Sequence, residues 1–298
     1  MNSWSEIIGQ PQAVKILQQA VSKKRLAPAY LFVGIDGVGR RTTARVMIAN
    51  LLGKLSHPDL LWIEPTYAHQ GKLFTAKEAE ELGLKRKMSP QIRIEQIREV
   101  GEFVSRLPLL NDRSLVVIEG AETMAEASAN ALLKTLEEPG RAVIILIAPS
   151  VDRLLPTLVS RCQQVPFRPL SLANMQAIFD RLGVKEIPME ILLQAEGSVG
   201  RAIQSWQILQ TIPPELLPQL PSHPLTALQL AKAISALEIE TQLWLVDYWQ
   251  RSLWQKYQTP ELVQHLEQAK QYLRVFVQPR LVWEVALLKF CPLEKVQN

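Results

Sequence analysis

The chain has 298 residues, 47% of them hydrophobic and 21% charged, with a formal net charge of +4. That length gives room for two or three domains and a sizeable core, and the composition excludes a disordered or fibrous chain. The small positive balance permits contact with nucleic acid without arguing for it, and the short basic runs Lys23-Lys24-Arg25 and Lys85-Arg86-Lys87 read as solvated surface.

The N-terminal residues Met1-Asn2-Ser3-Trp4-Ser5-Glu6 show neither the basic region nor the apolar stretch of a signal peptide. No apolar run approaches the ~18 residues needed to cross a membrane, and a chain with only two cysteines fits a reducing cytoplasm. Apolar runs at 29–33, 60–64, 115–119 and 143–148 predict buried parallel strands, with a shorter fifth at 164–167. Residues 66–87 are polar and charged, with a short helical stretch around 76–82, and read as a mobile surface insertion. Behind Ser89-Pro90, the residues Ile94, Ile97, Val100, Val104 and Leu107 recur at helical spacing. Residues 125–138 are rich in helix formers and stop at Pro139-Gly140. Alternating β and α segments predict an α/β fold with a doubly wound parallel sheet and a ligand site beyond the carboxyl ends of its strands.

Past Phe167 the strand signal fades. Residues 171–182 and 187–209 read as a small helical unit. Pro213-Pro214, Pro218, Pro221 and Pro224 then crowd one stretch, the clearest linker signal in the chain. Residues 225–289 read as all helix, with Leu243, Val246, Trp249, Leu253 and Tyr257 on one stripe. The expected domains are therefore 1–168, 169–210 and 211–298. Five of the seven tryptophans (Trp206, Trp244, Trp249, Trp254 and Trp283) fall beyond residue 205, which suits core packing or a subunit interface. The two cysteines, Cys162 and Cys291, exclude a disulfide framework and a Cys-based zinc site. Cys162 reads as a small buried hydrophobe rather than a reactive thiol.

The chemistry concentrates after the first strand. Gly34, Gly37 and Gly39 have the spacing of a phosphate-binding loop, in which backbone N–H groups at a helix start cradle phosphates. Arg40 stands where the phosphate-reaching Lys belongs, and a planar guanidinium is not equivalent to a compact ammonium. Arg41 replaces the hydroxyl that holds Mg²⁺, and Thr42 offers a hydroxyl one residue late, rotated about 100° around the helix. At the end of the third strand Glu119 is followed by Gly120, where an active site wants a metal-binding Asp and then a Glu to activate water. Glycine cannot do that, and Glu122 is displaced by two residues.

The stretch Ala129-Asn130-Ala131-Leu132-Leu133-Lys134-Thr135-Leu136-Glu137-Glu138-Pro139, followed by Leu158-Val159-Ser160-Arg161-Cys162, resembles the clamp-loader branch of the AAA+ ATPases. Further matches are Ile7-Ile8-Gly9-Gln10, His57-Pro58-Asp59, Gly197-Ser198-Val199-Gly200-Arg201-Ala202 and Gln278-Pro279-Arg280-Leu281, so the resemblance covers essentially the whole chain. It implies an AAA+ P-loop domain, a small helical lid and an all-helical C-terminal collar. It implies that Ser160-Arg161 is an arginine-finger motif acting in trans, and that Ile8 lies by the adenine and Arg201 in the second-sensor region. The position of the first sensor, around Ala148-Pro149, lacks the expected polar residue.

The motor subunits of that family keep Gly-Lys-Thr/Ser, Asp-Glu and a four-cysteine zinc site, none of which occurs here. The departures imply a non-hydrolysing stator within the bacterial DNA polymerase III holoenzyme. It would need no cofactor and could bind ATP only without turnover. The implied partners are gamma/tau motor subunits, a delta wrench subunit, the sliding clamp and, through the complex, primed DNA. The alternatives are an active AAA+ motor, which an ATPase assay would reveal, and a P-loop nucleotide-binding regulator, which a monomeric sizing profile would favour.

Overall fold

A computed structural model describes residues 3–69, 71–82, 89–184, 187–275 and 277–291. The basic run 85–87 lies outside the described residues. The chain divides into two compact units, Met1–Gly183 with Gly197–Gly200, and Val184–Glu196 with Arg201–Asn298.

The first unit carries α1 (Pro11–Ser22), β1 (Ala29–Val33), α2 (Arg40–Leu52), β2 (Leu60–Ile63), β3 (Thr66–His69), β4 (Lys72–Thr75), α3 (Ala76–Glu81) and α4 (Ile94–Ser105). It continues through β5 (Ser114–Glu119), α5 (Glu126–Glu137), β6 (Ala142–Ala148), α6 (Pro156–Val159), β7 (Gln163–Pro166) and α7 (Leu172–Leu182). Five strands form one parallel sheet in the order β2-β5-β6-β1-β7. The period of two sends alternate residues to opposite faces. Leu31, Val116, Ile118, Ile144 and Leu146 join α4, α5 and α6 in one core. Tyr30, Phe32, Leu115, Val117, Val143 and Ile145 join α1 and α2 in the other. Both faces are covered, which is why these strands read as unbroken apolar runs.

Two expectations need correction here. Residues 66–75, read from the sequence as part of a mobile surface insertion, form an antiparallel hairpin, β3 with β4; Gly71 takes φ 77° beside the turn. Its base is fixed by reciprocal backbone bonds between Thr66 and Gln91, at 3.0 and 3.1 Å. Gln96 reinforces them, donating to Glu64 O at 2.9 Å and accepting from Thr66 Oγ1 at 3.2 Å. Leu107 is not the last turn of α4: the helix stops at Ser105, and Leu107 is exposed with Leu109 and Leu110. The backbone there is held instead by Asp59, whose buried carboxylate accepts from the N–H groups of Leu109, Leu110 and Asn111 at 2.6, 2.9 and 3.0 Å.

The second unit is helical: α8 (Met189–Gln194), most of α9 (Val199–Thr211), α10 (Pro224–Ser235), α11 (Ile239–Tyr257), α12 (Pro260–Arg274) and α13 (Pro279–Leu288). Proline stands first in α10, α12 and α13, where its missing N–H costs nothing. Trp249 and Trp283 are fully buried and meet edge to face at 6.2 Å. Each indole N–H finds an acceptor, Leu216 O at 3.1 Å and Gln242 Oε1 at 2.9 Å. Trp254 is largely exposed. The proline-rich stretch is no open connector, because Ile212 and Leu216 are buried in the same core as Trp249.

Candidate functional site

β1 ends at Val33 and α2 begins at Arg40, so residues 34–39 form the turn between a central strand and a helix start. Gly37 and Gly39 hold φ of 78° and 101°, conformations that a side chain would strain. Gly34 closes against β6, its N–H donating to Ala148 O at 3.4 Å. The predicted strand, glycine loop and helix are thus present, at the carboxyl end of the sheet.

The two arginines behave differently. Arg40 is only 7% exposed. Its Nη2 is paired with Asp36, while its Nη1 is buried with no hydrogen-bond partner. Arg41 lies between two carboxylates, with Glu64 at 2.5 Å and Glu119 Oε2 at 3.3 Å, and stands 5.5 Å from the ring centre of Trp62. Trp62 Nε1 also donates to Glu119 Oε2 at 3.3 Å. The sheet explains this cluster. Ile63 pairs with Ile118, so Glu64 and Glu119 leave adjacent strand ends side by side. Glu64 and Trp62 escaped sequence reasoning because residues 41, 64 and 119 meet only through the strand order.

A cavity of about 280 Å³ opens beside these residues, lined by Asp36, Arg40, Arg41, Glu64, Glu119 and Glu122 among others. Burial pushes the Glu119 carboxyl above its usual range, and the Arg41 guanidinium opposes that. Burial likewise raises Glu122, whose Oε2 has no hydrogen-bond partner. Gly120 sits at φ 67°, and a Cβ there would stand 2.7 Å from Pro65 Cγ. The backbone itself therefore favours glycine where a catalytic carboxylate would be needed. Thr42 is exposed and does not line this cavity.

Ile8 is half-buried, in the segment before α1, and is not among the cavity's lining residues. Its neighbour Gln10 is the structural anchor. The buried Gln10 amide donates to Val38 O at 3.1 Å and to Arg168 O at 2.7 Å, and accepts from Arg168 N–H at 3.1 Å. Ser198 Oγ donates to Asp36 O at 2.6 Å, and Gly200 N–H donates to Gly37 O at 3.2 Å. A Cβ on Gly200 would lie 2.8 Å from Gly37 Cα, so this approach needs glycine on both sides. Arg201, the next residue, belongs to the second unit.

Ser160 caps the short α6, its hydroxyl donating to Thr157 O at 3.1 Å. Arg161 follows on the surface, with Nη1 donating to Thr157 O at 3.0 Å and Nη2 to Glu137 at 2.5 Å. Burial pushes the Cys162 thiol up to about 11. Among the described residues, no group of His, Cys, Asp and Glu could hold a metal ion, and no helix is long and apolar enough to cross a membrane.

Comparison with known proteins decides the family. Residues 9–171 match the family described as DNA polymerase III, delta subunit, and residues 173–290 match the cyanobacterial DNA polymerase III delta prime C-terminal domain. The chain belongs to the delta-prime family of DNA polymerase III subunits. Subunit delta' of Bacillus subtilis is 31% identical over 225 residues, 68% of this chain and 61% of that protein. Subunit delta' of Pseudomonas aeruginosa is 33% identical over 174 residues, 52% of this chain and 47% of that protein. The matches thus span roughly half the length of these curated relatives. Among solved structures, a gamma subunit-related protein of Thermotoga maritima superimposes with a TM-score of 0.53 at 19% identity, over 94% of this chain and 98% of that one. The RuvB Holliday junction branch migration motor of the same organism gives 0.50 at 15% identity, over 97% of this chain and 90% of that one. These likenesses show the AAA+-type fold: a parallel sheet with helices, followed by a helical C-terminal region.

Proposed function

We propose that this delta-prime family member is a non-hydrolysing stator of the DNA polymerase III clamp loader, helping to load the sliding clamp on primed DNA. The observation that carries the reading is Arg41. At the position where an active ATPase has the Mg²⁺-binding hydroxyl, its guanidinium pairs with both Glu64 and Glu119, the carboxylates at two adjacent strand ends. A divalent metal does not fit beside it, because Mg²⁺ demands a near-octahedral set of oxygens. With Gly120 next in the chain, the position after Glu119 carries no carboxylate to activate water. ATP hydrolysis in the complex then falls to partners resembling the gamma and tau relatives that this chain also matches.

Arg161 is the part of the catalytic equipment this subunit keeps. It acts in trans, its guanidinium stabilising charge that develops on a neighbour's γ-phosphate, a role worth roughly 10³–10⁵ in rate where such fingers operate. The side chain is 36% exposed and held by Thr157 O and by the more accessible Glu137, both near the surface, so a phosphate can compete for it. The helical C-terminal unit is the collar through which the subunit joins gamma/tau and delta partners.

The test is reconstitution. The purified chain alone should show no ATP turnover above a buffer control. Mixed with motor and delta subunits, it should enter a single complex whose ATPase responds to clamp and primed DNA. Steady turnover by the isolated chain, abolished by Arg40→Ala, would overturn the stator reading.

A further inference from the structure

A cavity of about 1010 Å³ opens in the helical unit between α8, α9 and α11, and every residue lining it belongs to that unit. We propose that it receives an extended segment of a partner polypeptide, about six residues long and carrying a lysine or arginine. The proposal goes beyond the stator reading and does not depend on it.

The walls of the groove are fixed by contacts of their own. Trp244 Nε1 donates to Ser205 Oγ at 3.0 Å, and the Tyr248 ring stacks on Trp244 at 5.1 Å. Arg251 Nη1 donates to Leu193 O at 2.7 Å. The groove is therefore built before a ligand arrives, which lowers the ordering cost of binding. Along α11 the lining runs from Glu240 to Trp254, about 21 Å of helix. An extended chain covers that length in about six residues.

The lining chemistry selects a polypeptide. Gln194 lines the cavity, and its Oε1 is buried with no donor facing it. Such an acceptor needs an N–H or O–H, which a phosphate or carboxylate oxygen does not bring. An extended chain brings a main-chain N–H at every residue except proline. Gln204, Gln207 and Gln250 line the same cavity, and a side-chain amide can both donate to and accept from a peptide group. The charges point the same way. Glu196, Glu240 and Asp247 line the cavity against Arg201 and Arg251. Arg251 is taken by Glu196 and Leu193 O, and Asp247 is paired with Lys270. Among the described residues no ion pair engages Glu240, which leaves its carboxylate for a cationic side chain. A phosphodiester chain is disfavoured, since it binds by neutralising its phosphates with lysines and arginines. Trp254, 47% exposed, presents its ring to the cation or to the apolar stem that carries it.

The experiment passes a degenerate octapeptide library over the immobilised full chain and sequences the retained peptides. Lysine or arginine should be enriched about fivefold over aspartate and glutamate at one position or more. The best retained peptide, fluorescein-labelled, is then titrated by anisotropy. Trp254→Ala and Glu240→Lys should each weaken it about fivefold or more. Both positions are exposed, so melting followed by circular dichroism should be unchanged. Gln194→Met, which keeps the length of the side chain and removes the acceptor, should weaken it about threefold. A short oligothymidylate should not displace the peptide. No retained peptide, retention without basic enrichment, or binding indifferent to the Trp254 and Glu240 variants would overturn the proposal. Displacement by oligothymidylate at equal affinity would overturn it too, by making the groove a nucleic-acid surface. The stator reading, which is tested by ATP turnover, would stand in every case.

Discussion

Arg161, just past α6, donates to Glu137, the last residue of α5, at 2.5 Å. Both side chains are solvent-accessible, 36% and 52% exposed, and such surface pairs are worth only ~0.2–1 kcal/mol. The contact parks the guanidinium without committing it. Glu137→Ala should therefore shift the melting temperature of the chain by no more than about 2 °C. It should leave the ATPase of a reconstituted complex at least at the wild-type level. A clear loss of turnover in an intact complex would show that the pair orients Arg161 for its task.

Gly120 is where sequence and backbone agree most closely. Restoring a carboxylate with Gly120→Glu places a side chain at φ 67°, against Pro65 Cγ at 2.7 Å. Strain of this kind costs about 1–3 kcal/mol. Denaturant unfolding should register that loss, and the variant should still not hydrolyse ATP because Arg41 continues to occupy Glu119. Turnover restored by this single change would mean that the rest of the site is intact.

Asp59 organises the turn before β5. Burial alone would raise its carboxyl, but three backbone N–H groups and the nearby His57 outweigh it and hold it below the ordinary carboxylate range. A depressed native value adds stability that is present above the unfolded value, near 3.9, and is lost as pH falls through the native one. Unfolding free energy should thus decline below about pH 4. Asp59→Ala should remove that part of the decline and cost about 1–3 kcal/mol at neutral pH, since three part-buried backbone donors lose their acceptor. Urea unfolding across pH 3–7 checks both statements.

Cys162, with its thiol pushed up to about 11 by burial, should be almost inert at pH 8. The thiolate is the reactive form, so alkylation should run at least ~100-fold slower than at a free cysteine of pKa ≈ 8.5. Peptide mass spectrometry of iodoacetamide-treated chain, native against denatured, measures this. Rapid native labelling would place the thiol in a more open setting.

The sheet was legible because its central strands are covered on both faces. Unbroken runs such as Val143–Ile147 need no partner to be recognised as buried. The hairpin at 66–75 was not, since its strands have four residues each and mix Tyr67, Leu73 and Phe74 with charged neighbours. The prolines between 213 and 224 suggested a linker, but composition could not show that Leu216 packs into a core and accepts from Trp249. Within the site, Arg40, Arg41 and Gly120 stood out as departures from a motif. Glu64 and Trp62 did not, because their proximity is a consequence of β2 lying beside β5. Gln10 was quoted in a motif, but its bridge between Val38 and Arg168 is visible only in three dimensions.

The central claim is that this subunit has given up its own hydrolysis and completes a neighbour's site through Arg161. The most direct measurement is the steady-state ATPase of a reconstituted complex with clamp and primed DNA, carrying either wild-type chain or Arg161→Ala. Folding and assembly should be unchanged by sizing, because the side chain is exposed and its ion pair is weak. Turnover should fall partly, since the other sites keep their own fingers. Unchanged turnover in an intact complex would contradict the account and leave Arg161 as a surface residue paired with Glu137.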